Sequence, residues 1–400
     1  MDHRPLRIGL LTHSVNPRGG VVHTLELAHA LHDAGHEVTV IAPATPGQRF
    51  FRPVHCRTHL VPVQATPRDM VQMVGSRIEA FRKSIDSLHR CVRFDVLHAQ
   101  DPIGANALAD LQGDGIIDGF VRTVHHLEVF EAAQLMQWQA RGFRSARQVF
   151  CVSQMWRERL STEHGVKASE VANGIDSERF SPAATTADAA LAQRLGLRVG
   201  APLVLAVGGV EGRKNTLRLL EAVVQLREAM PTAQLVIAGG ASLLDHAQYN
   251  RAFVAAAQAS GLAIGPGQPI VLTGPLPDAD IPSLYRLADV VAMPSLNEGF
   301  GLVVLEALAS GAPVVVSRIA PFTEHLLDSD VHWVDPFDAG SIAGALQAAV
   351  TQREPARIAS AAARLCARFT WSASAARHVR LYREGLRDAA TSRTDSLATH

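Results

Sequence analysis

Four hundred residues, 47% of them hydrophobic and 19% charged, supply more than one buried core and exclude a disordered chain or a single small domain. Thirty-eight Lys plus Arg balance thirty-eight Asp plus Glu, so no basic field exists to gather nucleic acid and none is expected as a partner. No apolar run reaches the ~18 residues that cross a bilayer, the polar Thr12, His13 and Ser14 follow Ile8 to Leu11 where a signal peptide would stay apolar, and Cys56, Cys91, Cys151 and Cys366 lack metal-binding spacing; a cytoplasmic protein is expected.

Short runs rich in Val, Ile and Leu recur at Arg7 to Leu11, Glu37 to Ala42, Asp95 to Ala99, Phe120 to Val124 and Gln148 to Val152. Continuous apolar runs of this kind read as parallel strands buried on both faces, with amphipathic helices crossing between them. The first crossover places Val22, Leu25, Ala28, Ala30 and Leu31 largely on one helical face, and Gly35 supplies a left-handed stop. Residues 1–180 thus read as one doubly wound α/β domain. Residues 181–197, rich in Ala, Thr and Pro in their first part and ending near Gly196, read as a linker. The alternation restarts at Leu203 to Val207, Gln234 to Ala238, Ile270 to Thr273, Asp289 to Met293 and Pro313 to Ser317. Residues 198–370 therefore read as a second domain of the same kind, expected to face the first across a ligand-binding cleft. The small and polar residues 389–400 read as a disordered tail.

Two loops in the second half carry the chemistry. The run Pro294-Ser295-Leu296-Asn297-Glu298-Gly299-Phe300-Gly301-Leu302 follows an apolar strand and opens a helix in which Glu306 lies about one turn inside. Both carboxylates can then face a ligand lying across the turn, Gly299 and Gly301 let it approach the backbone, and the free N–H groups of the helix start suit phosphate or sugar oxygens. A carboxylate that accepts from vicinal hydroxyls is a natural grip on ribose or hexose. An exposed turn whose acids merely favour the positive helix end would give the same spacing. The second loop, Gly208-Gly209-Val210-Glu211-Gly212-Arg213-Lys214-Asn215, places two adjacent cations ahead of a helix N-terminus. Cations are disfavoured at that end of the macrodipole unless an anion such as a diphosphate joins them, the other reading being two solvated loop residues. Neither Gly-x-Gly-x-x-Gly nor a Gly-Lys-Ser/Thr loop is present, which sets aside dinucleotide oxidoreductases and P-loop enzymes.

The run from Glu298 to Glu306, continuing to Val315, resembles the Glu-x7-Glu signature of the retaining nucleotide-sugar glycosyltransferases of family 4. The resemblance extends over nearly the whole chain. Asn16 to Gly20 is similar to the family's first glycine-rich loop, Thr123 to His126 to its strand-end His, Asn173 to Asp176 with Phe180 and Pro182 to the end of its first domain, and Glu211 to Asn215 to its Arg-Lys loop. It implies a GT-B architecture of two Rossmann-like domains, donor bound by the second and acceptor by the first, with a final helix at about 371–388 crossing back to the first. Trp371, Val379, Leu381 and Tyr382 would give that helix its apolar face.

The implied roles follow residue by residue. Arg213 and Lys214 would hold the donor diphosphate, Glu306 the ribose, and Glu298 with the backbone of Gly299, Phe300, Gly301 and Leu302 the transferred sugar. Gly19 and Gly20 would lie against the diphosphate, His125 would contact the sugar, and Leu276 would lie beside the base. Glu298, His125, Lys214 and Arg213 are the catalytic candidates. Two positions depart from the pattern: Gly212 stands where many relatives carry proline, and His126 where aspartate is frequent. The implied activity is transfer of a sugar from a nucleoside diphosphate co-substrate to an acceptor hydroxyl, with no other cofactor and no metal. A sugar-nucleotide epimerase on the same fold and a catalytically silent sugar-nucleotide binding protein are the rival readings.

Three further signals carry blander readings. Eighteen histidines, with His23, His29, His32 and His36 near the first helix, lack the companion ligands of a metal site. Asp278-Ala279-Asp280 precedes Ile281 and Pro282, which suits the capping of a short helix. Between Arg68 and Arg93, Met70, Val71, Val74, Ile78, Phe81, Ile85, Leu88 and Val92 recur at helical spacing among basic residues. That face is expected in the core, the alternative being peripheral contact with an anionic membrane.

Overall fold

A computed structural model describes residues 4–64, 69–198, 200–240 and 247–398. Two units divide the chain: Met1–Gly174 with Phe369–His400, and Ile175–Arg368. In the first unit the order is β1 (Arg7–Leu11), α1 (Gly19–Asp33), β2 (Glu37–Ala44), β3 (Arg57–Pro62), α2 (Met70–Val92) and β4 (Val96–Ala99). There follow α3 (Pro102–Gly113), β5 (Val121–Val124), α4 (Ala133–Arg144), β6 (Gln148–Cys151), α5 (Gln154–His164) and β7 (Ala168–Glu170). The second unit begins with α6 (Thr186–Leu195), β8 (Leu203–Val207), α7 (Thr216–Ala229), β9 (Gln234–Ala238), α8 (Ala247–Ala259) and β10 (Ile270–Gly274). It continues, after one short 3-10 turn at Asp278–Asp280, with α9 (Ile281–Leu287), β11 (Val290–Met293), α10 (Leu302–Ala309), β12 (Val314–Ser317) and α11 (Phe322–His325). It ends with β13 (His332–Val334), α12 (Ala339–Thr351) and α13 (Pro355–Arg368), after which α14 (Trp371–Ala398) rejoins the first unit.

The first sheet is parallel, in the order β3-β2-β1-β4-β5-β6-β7, and the second is parallel in the order β10-β9-β8-β11-β12-β13. Apart from Ile270 to Thr273, which becomes the edge strand β10, the apolar runs become inner strands because both of their faces are covered: Ile8, Leu10 and Val40 in one sheet and Val204, Leu205 and Val315 in the other have no solvent exposure. Winding reverses between β1 and β4 and again between β8 and β11, and in open sheets the crevice at the strand ends of such a reversal is where ligands bind.

The strands β3, β7 and β13 escape the apolar-run criterion. Each is an edge strand; β3 exposes Arg57, Thr58 and Pro62, and β7 and β13 are three residues long. One-sided cover removes the selection for a continuous apolar run.

Two expected boundaries need correction. Residues 181–197, read as a linker, contain α6, whose Asp188 accepts from the Thr185 N–H at 3.1 Å and from the Thr185 hydroxyl at 2.9 Å. Arg286 of α9 clamps the same carboxylate at 2.7 Å and Leu191 is buried, so the helix belongs to the second unit. Residues 389–400, read as a disordered tail, continue α14 to Ala398; Thr399 and His400 lie outside the described residues.

Asp278 and Asp280 do not cap α9 with their side chains; instead they pair with Arg179 at 2.8 Å and Arg194 at 2.5 Å. The apolar face of α2 lies in the core, where Ile78, Phe81 and Ile85 pack with residues of α3. Arg68, the first residue of that predicted amphipathic segment, lies outside the described residues. Among the described residues no helix is long and apolar enough to cross a membrane.

Candidate functional site

In the second unit the two predicted loops meet at the reversal between β8 and β11. Gly208 and Gly209 leave β8 with φ of +127° and +80°, a path open to glycine at little cost. A Cβ on Gly208 would lie 2.7 Å from Lys214 Cε, so the missing side chain is the space in which the lysine stem runs. Asn215 adopts φ +58°, and its amide donates to the carbonyls of Pro294 at 3.1 Å and Pro336 at 2.6 Å. The Leu296 N–H donates to the Arg213 carbonyl at 2.9 Å. These bonds fasten the Arg-Lys loop to the turn after β11.

Glu298 is the hub. Its Oε1 lies 2.7 Å from Lys214 Nζ, 3.1 Å from an Arg213 Nη and 3.0 Å from Ser295 Oγ. Only 6% of Glu298 is exposed. Burial opposes its charge, but the nearby Lys214 and Arg213 cations and the two hydrogen bonds outweigh that cost and hold the carboxyl down at about 2. Arg213 also donates to the Asn297 carbonyl at 3.2 Å and lies 3.8 Å from Glu211. Two cations and two carboxylates therefore share one partly dry pocket.

Gly301 starts α10 with φ +95°, and a Cβ there would lie 2.5 Å from Phe322. Its own side-chain slot is thus filled by an aromatic ring. Phe300 is buried with its ring 4.5 Å from that of His325, so only its backbone is available to a ligand. Gly299 and Leu302 are half-buried on the same turn. Glu306, half-buried one turn into α10, accepts from the Tyr285 hydroxyl at 2.7 Å. Leu276 stands apart on the loop after β10, two strands from β8 in the sheet order.

In the first unit Gly19 and Gly20 form the first turn of α1 and His125 follows β5. A Cβ on Gly20 would sit 4.0 Å from His125 Cδ2, whereas one on Gly19 would meet nothing, so the fold itself does not demand glycine at 19. His125 Nε2 lies 3.1 Å from Gln100 Oε1, and its ring meets that of His23 edge-on at 4.5 Å. His126, at the position often held by aspartate in family 4, pairs with Glu128 at 2.8 Å.

Sequence reasoning missed Ser295, Tyr285, Asn215, Gln100 and His98. Tyr285 carries no local signal, and its hydroxyl becomes visible only once α9 is laid beside α10. Asn215 did carry a signal, since asparagine is the non-glycine residue that best tolerates a left-handed backbone ahead of a helix. The polar residues that tie strand ends together are far apart in sequence and leave no local pattern.

Residues 188–365 match the family model described as glycosyl transferases group 1, and residues 17–179 match that described as glycosyltransferase family 4. A phosphatidyl-myo-inositol mannosyltransferase of Mycolicibacterium smegmatis is 31% identical over 398 residues, 94% of this chain and 93% of that protein. A D-inositol 3-phosphate glycosyltransferase of Xylanimonas cellulosilytica is 36% identical over 217 residues, and that match spans only 52% of this chain and 49% of the relative. Among solved structures, Anabaena HepE in complex with UDP and glucose superposes with a TM-score of 0.77 at 19% identity, covering 94% of this chain and 99% of that one. The fold is that of the GT-B enzymes, and the chain belongs to the family 4, group 1 glycosyltransferases.

Proposed function

We propose that the enzyme moves a sugar from a nucleoside diphosphate to an acceptor hydroxyl with retention of anomeric configuration and without a metal ion. The observation that carries this reading is the convergence of Arg213 and Lys214 on the buried turn that opens α10. Two cations beside free helix N–H groups, at the crevice of a doubly wound sheet, suit a diphosphate leaving group.

As the glycosidic bond breaks, its electron pair goes to the diphosphate oxygen, and Arg213 and Lys214 balance the charge that develops there. The acceptor oxygen bonds to the anomeric carbon on the same face, and its proton passes to the departing diphosphate. No side chain is then required as a strong base. Binding of the diphosphate would draw the two cations partly off Glu298, which with the Gly299 to Leu302 backbone holds the transferred sugar. Glu306, oriented by Tyr285, accepts from the ribose hydroxyls, and Leu276 borders the base. For the first unit, the family resemblance implies roles for Gly19 and Gly20 toward the diphosphate and for His125 toward the sugar.

HepE is described in complex with UDP and glucose, and two relatives are named for phosphatidyl-myo-inositol and D-inositol 3-phosphate. These names set the first compounds to try. Thermal unfolding against UDP-, GDP- and ADP-sugars, each with and without a divalent metal, tests the donor site, because a ligand of the native state raises Tm by mass action. Stabilisation by one nucleotide class without metal, lost in Lys214→Ala, supports the reading and names the donor for a transfer assay with inositol-bearing acceptors. Strict metal dependence would overturn the account of the phosphate site. Consumption of donor with no acceptor, yielding an isomeric nucleotide sugar, would replace transfer by epimerisation.

A further inference from the structure

We infer that Gln100, His98 and Tyr382 are positioning residues that fix His125 as a neutral imidazole, with its proton on Nε2 and a bare Nδ1 available to accept a substrate hydroxyl. The role toward substrate rests on the donor reading above; the relay itself rests on geometry within the first unit.

Four polar side chains form a line through that unit. His125 Nε2 lies 3.1 Å from Gln100 Oε1, Gln100 Nε2 lies 3.2 Å from His98 Nε2, and His98 Nδ1 lies 2.7 Å from the Tyr382 hydroxyl. An amide oxygen only accepts and an amide nitrogen only donates, so the two ends of Gln100 impose opposite protonation on the rings they touch. His125 must donate from Nε2. His98 must accept at Nε2, where Thr123 Oγ1 also approaches to 2.7 Å, and so carries its own proton on Nδ1, which it donates to Tyr382. Exposures of 3% for Gln100, 0% for His98 and 1% for Tyr382 seal the chain from water, and its sense is set by the orientation of the Gln100 amide, Oε1 toward His125 and Nε2 toward His98. Tyr382 lies on α14, so the last helix of the chain sets the tautomer of a residue at the end of β5.

The surroundings favour the neutral ring. His23 on α1 meets His125 edge-on, Arg122 and His126 flank it along the chain, His98 stands behind Gln100, and His378 on α14 faces both His23 and His98. Burial and these basic neighbours hold His125 well below the ordinary histidine value. His23 is locked in the same manner, its Nδ1 lying 2.9 Å from Asn173 Oδ1. Burial and the basic neighbours disfavour a cationic His125, and with Nε2 committed to Gln100 the neutral ring offers Nδ1 as a hydrogen-bond acceptor.

The test is imidazole 15N–1H correlation spectroscopy on the full chain labelled at histidine, with resonances assigned by single substitution. In the parent, His125 should show a protonated Nε2 and an unprotonated Nδ1 throughout pH 5.5 to about 8, and His98 the opposite tautomer. Gln100→Met should release His125 into a mixture of tautomers, and Gln100→Glu should let it take a second proton within that range. Tyr382→Phe, which removes one oxygen and little volume, should move the His98 Nδ1 resonance if the larger changes prevent folding. A parent His125 protonated on Nδ1, or charged at pH 7, overturns the inference, as does a Gln100→Met spectrum unchanged at His125. These readings need no nucleotide sugar, so they stand or fall separately from the donor reading.

Discussion

Replacing Lys214 with alanine removes the closer of the two cations on Glu298 and leaves the carboxylate with an Arg213 Nη at 3.1 Å and Ser295 Oγ at 3.0 Å. A carboxyl held at about 2 instead of the ordinary glutamate value of 4.5 corresponds to about 3 kcal/mol of net stabilisation of the charged form. Lys214 is the largest favourable contributor but not the sole one, so its loss should cost about 2 kcal/mol, below the ~3–5 kcal/mol seen when a buried charge loses its only partner. Because the folded-state value is depressed, this stability is present above pH 4.5 and is lost as pH falls toward 2. The gap between parent and variant should narrow over that window. Urea unfolding of both proteins at pH 7 and below 4.5 measures the stability term. On the proposed mechanism, turnover of the donor found by thermal shift should fall more than ~10-fold, because the cation that balances the leaving diphosphate would be lost as well. The double change Lys214→Ala with Glu298→Gln should recover part of the stability but none of the turnover, because the buried charge is then gone. A single variant within ~0.5 kcal/mol of the parent, or one with normal turnover, would refute the reasoning at its root.

Gly301→Ala places a Cβ against Phe322 at a backbone φ of +95°, and the sum of backbone strain and overpacking should destabilise the second unit by about 2–4 kcal/mol; an unmoved urea midpoint would contradict this. Tyr285→Phe deletes the hydroxyl that Glu306 accepts at 2.7 Å, which should cost about 1–2 kcal/mol and weaken donor binding in a titration; equal donor affinity would detach Glu306 from the donor. Acid should destabilise the first unit before any carboxylate titrates, because burial holds His23 at about 3 and His378 at about 4. Unfolding lets each take a proton below about 6.5, so stability is full above that pH and falls by about 2 kcal/mol per histidine on going from pH 7 to 5. A flat stability profile between those pH values would show that these rings are hydrated or already charged.

The inner strands and the two site loops were legible because burial on both faces and close approach to a ligand each demand a local pattern. β8 and β11 are continuous apolar runs, and Glu298, Gly301 and Glu306 keep fixed offsets from the end of β11. Of the edge strands only β10 was legible, as the run Ile270 to Thr273, whereas β3 needs cover on one side only and carries Arg57, Thr58 and His59. The segment holding α6 looked like a linker because its composition is plain, and what makes it part of the second unit is Arg286 on α9, about a hundred residues later. The polar second layer of the site failed for the same reason. Ser295 was in view, but nothing local marks it as a donor to Glu298, and nothing in the sequence couples Gln100 to Tyr382.

The return of α14 to the first unit has a bearing on how the protein is made. His378 and Tyr382 fill the interior behind β4 and β6, with Tyr382 bonded to His98 and stacked on Phe150. The unit that leaves the ribosome first therefore lacks part of its core until the final helix has been synthesised. Residues 175–368, by contrast, form their sheet from one uninterrupted stretch. The later half of the chain can thus complete its structure while the earlier half waits, an inversion of the usual N-terminal-first order of domain folding during synthesis. A nascent chain or fragment that stops before Trp371 presents an open apolar seam along α1 and β6, where a holding chaperone would bind and from which aggregation would begin.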